Sequence, residues 1–118
     1  MSDLTVLHNP KCSTSRAAVE TIDAAGAQAE VVQYLKEPLD EAALRELIDK
    51  LEDEPTALVR RDSFFKDQGL TDADVATVDQ IVAVLVEHPR LMERPVIVKG
   101  DTAIIGRPKS RVAPFVGA

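Results

Sequence analysis

The chemistry open to this chain starts at its single cysteine. Cys12 falls between the apolar, partly β-branched run Leu4-Thr5-Val6-Leu7, which stops at Asn9-Pro10, and a stretch of helical spacing that begins at Ser13 or Thr14. A sulfur placed where a strand gives way to a helix meets unpaired N–H groups and the positive end of the helix dipole. Both favour the thiolate over the thiol, and the thiolate is the nucleophile. His8 precedes Cys12 by four residues and Arg16 follows by four, so both are placed to add positive potential. The competing reading makes Cys12 a small buried filler, the common fate of a free cysteine. A polar, anion-friendly loop leading into a helix tells against it.

A thiolate at a helix start becomes an oxyanion site if further donors converge on it. Arg60, Arg61, Arg94 and Arg107 are the candidates, because guanidinium forks match tetrahedral oxyanions and stay charged at any working pH. Each alone is an ordinary surface charge. Arg94 lies just before the Val96 strand and Arg107 just after the Ala103 strand, so a tight hairpin between them brings both to one end. If Arg60 and Arg61 share a helix they point about 100° apart, and only one of them reaches the site. His8, His88 and Cys12 lack the paired ligand spacing of a zinc site, so no metal is expected. His88, just before Pro89, reads as a helix-end residue. The eight carboxylates between Glu37 and Glu54 read as a solvated helix face.

The elements that must position these residues follow from hydrophobic spacing. Leu4–Leu7 reads as a buried strand. The next segment reads as a helix to Ala25, with Ala18, Ile22 and Ala25 at helical steps and Gly26 as the stop. Val31-Val32 with Tyr34 and Leu35 reads as a second strand closed by Glu37-Pro38. Asp40 can cap a helix whose Leu44, Leu47, Ile48 and Leu51 form one stripe. A short helical piece is predicted from Pro55 to Arg61. A longer helix is predicted from Thr71-Asp72-Ala73-Asp74 through Val75, Val78, Ile81, Val82 and Leu85 to His88. Val96-Ile97-Val98 and Ala103-Ile104-Ile105 flank the tight-turn dipeptide Gly100-Asp101. Pro108 then opens a last helix with Val112, Phe115 and Val116 inward, which Pro114 must distort or cut short. The order β-α-β, helical insert, β-β-α is a thioredoxin-type plan, an α/β fold with the insert between its second and third strands.

Composition narrows the function. With 118 residues, 45% hydrophobic but only 3% aromatic and no Trp, the expectation is one domain whose core of Val, Leu, Ile and Ala suits a sheet covered by helices. The formal net charge of −6 argues against nucleic acid or an anionic membrane as partner over an extended face. The charge is uneven: residues 1–89 carry 8 basic and 18 acidic side chains, a balance of −10, and residues 90–118 carry 6 and 2, a balance of +4. A small cationic site can therefore sit within an acidic protein. One cysteine excludes an internal disulfide. The start Met1-Ser2-Asp3 lacks the basic opening and long apolar run of a signal peptide, and no window has the 18 or so apolar residues of a membrane span. A soluble cytoplasmic protein is expected.

Taken in order, His8-Asn9-Pro10-Lys11-Cys12-Ser13-Thr14-Ser15-Arg16, Ala57-Leu58-Val59-Arg60, His88-Pro89, Glu93-Arg94-Pro95-Val96 and Gly106-Arg107-Pro108 resemble the glutaredoxin-dependent arsenate reductase family. Cys-x-x-Ser-Arg alone is a weak signal; the spaced set of one cysteine and three arginines is specific. The resemblance implies a thioredoxin-like fold and attack of Cys12 on arsenate to give a covalent thiol-arsenate adduct. It also implies that Arg60, Arg94 and Arg107 bind the oxyanion, that His8 helps to hold the thiolate, and that Ser15 hydrogen-bonds near the sulfur, with Ser15 and Arg16 counted among the substrate-binding residues. Arg94-Pro95 resembles the cis-proline bond of thioredoxin folds. Because the chain has no second thiol, glutathione and then glutaredoxin are expected as electron donors, with no tightly bound cofactor. Two other readings stand beside this one. One is a glutathione-dependent thiol oxidoreductase acting on another oxyanion or a mixed disulfide. The other is an interaction protein like the Spx-type regulators, although their redox-sensing members use Cys-x-x-Cys where this chain has Ser15.

Overall fold

Period-two burial builds the sheet. In the computed structural model, which describes residues 4–117, strand β1 (Leu4–His8) turns Leu4 and Val6 to one face and Leu7 to the other. Met1, Ser2 and Asp3, on which the reading of the N-terminal start rests, and Ala118 lie outside the described residues. Strand β2 (Ala29–Gln33) pairs parallel with β1, and β3 (Val96–Lys99) and β4 (Thr102–Ile105) form the expected hairpin, giving the order β2-β1-β3-β4. β3 lies antiparallel to β1, with Leu7 opposite Val96. The ends of β1 and β3 that lead to Cys12 and Arg94 are thus not neighbours by chance: Leu7 leads to Cys12 and Val96 follows Arg94.

Helix α1 (Ser13–Ala24) and α5 (Val112–Val116) cover one face, where Ala18, Ile22 and Val112 pack on Leu4, Val6, Ile97 and Ile104. Helices α2 (Glu41–Lys50) and α4 (Val78–Glu87) cover the other, with Leu44, Leu47, Ile81 and Leu85 in one cluster with Leu7, Val96 and Ile105. Burying each such side chain stabilises the fold by about 1.5–3 kcal/mol. Asp40 caps α2 as expected, accepting from the Ala43 N–H at 2.8 Å. The Cα radius of gyration is 13.8 Å. Among the described residues no helix is long and apolar enough to cross a membrane.

Five local expectations need correction. β2 ends at Gln33, where its partner β1 runs out at His8; Tyr34 and Leu35 lie in a turn closed by Lys36 and Glu37 N–H donating to the Gln33 carbonyl. The piece after Pro55 is a 3-10 turn only to Leu58, and Val59 then pairs with Met92 in an isolated antiparallel bridge. Arg60 and Arg61 are therefore not helical, and the angular argument between them fails. A helix that the spacing did not reveal, α3 (Ser63–Asp67), is capped by Asp62 and buries Phe65. The long helix from Thr71 is two pieces, a 3-10 turn at Asp72–Val75 and then α4. Thr71 with Asp74, and Thr77 with Gln80, make separate capping boxes, and the second restarts the backbone. Pro108 does not open the last helix: it is extended, a 3-10 turn at Lys109–Arg111 follows, and Pro114 sits in the first turn of the five-residue α5, where its missing N–H costs little.

Candidate functional site

The loop after β1 presents the sulfur by local hydrogen bonding. The Asn9 carbonyl accepts from Cys12 N–H at 3.0 Å and the Asn9 Oδ1 from Lys11 N–H at 3.0 Å, a tight turn that leaves Cys12 as the N-cap of α1. Cys12 is part-buried. Its sulfur makes no capping hydrogen bond of full geometry, yet the Ser15 and Thr14 N–H groups face it closely enough to stabilise a negative charge. Burial pushes the Cys12 pKa up. Those two N–H groups, the Arg94 guanidinium and the charge of Arg107 together outweigh it, and the pKa lies below the ordinary thiol value.

The arginines arrive from distant stretches. Arg107 Nη2 donates to Cys12 Sγ at 3.3 Å and its Nε to the Arg94 carbonyl at 2.8 Å. The hairpin brings them together as expected, and Gly106 lets it close: its N–H donates to the Pro95 carbonyl at 2.8 Å, and a Cβ there would lie 2.8 Å from Pro95 Cγ. Arg94-Pro95 is cis, as is Arg107-Pro108. Arg94 Nη1 is tied to the Arg90 carbonyl at 3.0 Å. Arg60 is delivered by the bridge at Val59 and Met92, where Arg60 N–H donates to the Leu91 carbonyl at 2.7 Å and Glu93 N–H to that of Leu58 at 2.8 Å. Arg60, Glu93 and Arg107 line an open pocket of about 180 Å³, with Asp62 and Arg61 on its wall. The Arg61 guanidinium itself is taken up by Thr56, the Val59 carbonyl and Asp72.

Ser15 is fully buried, and its hydroxyl oxygen accepts from Asn9 N–H at 3.0 Å while lying 2.6 Å from His8 Nδ1. Ser15 Oγ and His8 Nδ1 are thus hydrogen-bonded to each other. Burial, aided by the Arg16 charge, holds the His8 pKa below its usual value. His8 thus lacks the positive potential foreseen for it: its contact is the Ser15 hydroxyl, and through it the loop. Arg16 also turns aside, Nη1 donating to the Pro10 carbonyl at 2.9 Å. Among the described residues no three His, Cys, Asp or Glu side chains converge on a possible metal position.

Two participants escaped the reading of the sequence. Asn9 builds the turn, and its position before Pro10 was the available signal. Tyr34 carries no such signal, because Val31-Val32 with Tyr34 and Leu35 reads as strand. Its ring is buried in the larger core and its hydroxyl stands beside the Arg94 guanidinium without a hydrogen bond of full geometry. Burial pushes its pKa up, against the Arg94 charge, so the phenol stays neutral. The buried Nε atoms of Arg60 and Arg94 likewise make no hydrogen bond, although Arg60 Nε stands 3.5 Å from Asp62 Oδ2 in an ion pair. Buried donors are seldom left without a hydrogen bond, and Arg94 Nε, on a guanidinium that faces the Cys12 sulfur, suits a ligand that carries acceptors.

The pattern of one sulfur and three arginines can be set against known proteins. The sequence pattern of the ArsC family matches residues 7–115. The chain belongs to the ArsC family. This ArsC-family chain is 36% identical over 114 residues to YfgD of Escherichia coli strain K12, across 95% of each chain. It is 33% identical over 114 residues to an arsenate reductase of Neisseria meningitidis serogroup A, across 95% of this chain and 97% of that one. In structure it is similar to an arsenate reductase from Vibrio cholerae, with a TM-score of 0.80 and 30% identity over 94% of this chain and 95% of that one. The thioredoxin-like fold expected of the sequence is the fold it has.

Proposed function

We propose that this chain is an arsenate reductase and that Cys12 is its nucleophile. The observation that carries the reading is the sulfur of Cys12 at the start of α1 with the Arg107 guanidinium 3.3 Å away. The thiolate forms an S–As bond while one arsenate oxygen leaves as water. Arg107 and Arg94 stabilise the charge that gathers on the remaining oxygens, and Arg60 closes the pocket from the opposite segment. Reduction of As(V) to As(III) needs two electrons, so arsenate and two thiols give arsenite, a disulfide and water. Cys12 has no partner thiol in the chain; glutathione supplies the attack that releases arsenite, and glutaredoxin reduces the resulting mixed disulfide. Such a cycle belongs in a reducing cytoplasm.

The experiment is purified protein with arsenate, glutathione and glutaredoxin, following arsenite, with Cys12→Ser alongside. Arsenite should form with the native chain and be lost with the variant. Arsenite formation that survives the substitution refutes the mechanism, and glutathione oxidation stimulated by other oxyanions but not by arsenate makes the chain a thiol oxidoreductase of different substrate.

A further inference from the structure

The pocket between Arg60 and Arg107, the second of which also reaches Cys12, already contains a carboxylate. A single oxygen of Glu93, Oε1, lies 3.6 Å from Arg60 Nη1 and 3.6 Å from Arg107 Nε. These are the two guanidinium groups that close the pocket from opposite segments. A charge-assisted N–H···O hydrogen bond runs about 2.7–2.9 Å, so this carboxylate is held by charge and not locked by geometry. Among the described residues it makes ion pairs and no closer hydrogen bond. Asp62, the other acid on the wall, is divided: its Oδ1 accepts the Phe65 N–H at the start of α3, and its Oδ2 lies 3.5 Å from Arg60 Nε, so it pairs with Arg60 alone while Glu93 bridges Arg60 and Arg107. The Glu93 backbone cannot carry the side chain away, because its N–H is bonded to Leu58 in the Val59–Met92 bridge. Any movement must come from the side chain, which is about a quarter exposed.

We propose that Glu93 is an internal stand-in for the oxyanion: its carboxylate pairs with Arg60 and Arg107 in the free protein and must swing aside when a tetrahedral anion binds at Cys12. Glu93 thereby sets how tightly, and at what ligand charge, the pocket accepts an oxyanion. The inference rests on the oxyanion reading of the site but not on arsenate being the oxyanion. The physics is like-charge exclusion. Arg60 and Arg107 point at a common region, and close cationic groups in a partly desolvated cleft need a counter-charge. Glu93 supplies it to both arginines, and Asp62 to Arg60 alone, when the pocket holds only water. An incoming dianion needs the same N–H groups and meets a fixed negative charge at the wall, and it meets that charge more strongly than a monoanion of equal shape does. The opposite role for Glu93, as a brace that pre-orients the two arginines for the ligand, predicts the opposite sign when its charge is removed.

The sign is measured on Glu93→Gln, which keeps shape and removes charge, with Glu93→Ala as a second variant and thermal unfolding as the check that both fold. Alkylation of Cys12 by iodoacetamide is followed against increasing sulfate, a tetrahedral dianion, and perchlorate, a tetrahedral monoanion, each rate normalised to that without anion. The half-protecting sulfate concentration should fall roughly twofold to fivefold in both variants, with a smaller fall for perchlorate. An unchanged or higher sulfate requirement, an equal gain for both anions, or no protection in any of the proteins overturns the proposal. Arsenite formation is scored separately. Tighter sulfate protection in the variants with no arsenite from any protein keeps Glu93 in this role and removes arsenate as the substrate. Arsenite formation by the native chain with unimproved anion protection in the variants does the reverse.

Discussion

At the Cys12 sulfur, burial and charge pull in opposite directions, and the charges prevail because they come from three sources. The α1 N-terminus gives N–H groups, the Arg94-Pro95 segment before β3 gives Arg94, and the residue after Gly106 gives Arg107. The rate of Cys12 alkylation against pH should therefore show an apparent pKa below the roughly 8.5 of a free cysteine. Arg94→Ala and Arg107→Ala should each move it upward, and Arg61→Ala should leave it in place. An ordinary profile in the native chain, or equal shifts in all three variants, would mean that the arginines act only as general charge. His8 makes a second pH prediction. Its folded pKa lies below its unfolded value of about 6.5, so the unfolded chain takes up the proton first. The stability it contributes is present above that unfolded value and is lost as the pH falls through the depressed folded one. Urea midpoints measured from pH 7.5 to pH 5 should decline less steeply in His8→Gln than in the native chain; parallel slopes would show that His8 is not the titrating group.

Among the elements, the hairpin and the Val59–Met92 bridge do the positioning. Gly106 is where the hairpin comes closest to Pro95, and a methyl group there meets the ring at 2.8 Å with Val112 Cγ2 behind it at 3.3 Å. Neither neighbour is the free end of a flexible chain. Gly106→Ala should therefore cost about 1–3 kcal/mol in denaturant unfolding and raise the anion concentration that protects Cys12, since Arg107 follows directly. Full stability with unchanged protection would show that the hairpin end is looser than its contacts imply. The hairpin was legible beforehand because Gly100-Asp101 between two β-branched runs is a local signal. The bridge was not, because Val59 and Met92 are one residue each and pair across 33 positions of chain. For the same reason the spacing extends to Arg60 a helix that ends at Leu58, and α3, with a single buried residue, has no periodicity to read.

Over the whole molecule, the sheet is packed on both faces, and the site sits at the end where β1 and β3 stop. Ile97 is fully buried in the smaller cluster, beneath α1 and α5. Ile97→Ala should lower stability by about 2–5 kcal/mol, a large share of the roughly 5–15 kcal/mol typical of such proteins. Below its lowered unfolding midpoint, the Cys12 pKa should be retained. If the pKa rises with the substitution, the two faces are coupled more tightly than their separate clusters suggest.

The strand-loop-helix that exposes Cys12, the capped helix at Asp40, the hairpin and the acidic chain with a basic tail were all determined by the sequence itself. Each depends on hydrogen bonds or hydrophobic spacing within a dozen residues, and such signals survive in one dimension. The gathering of Arg107 onto a sulfur 95 residues earlier, the burial that keeps His8 neutral and the place of Tyr34 beside Arg94 were decided only by the tertiary structure. Those outcomes turn on which charged groups end up close together in a partly buried cleft, and that is set by how β1, β3 and β4 pack and not by any spacing along the chain.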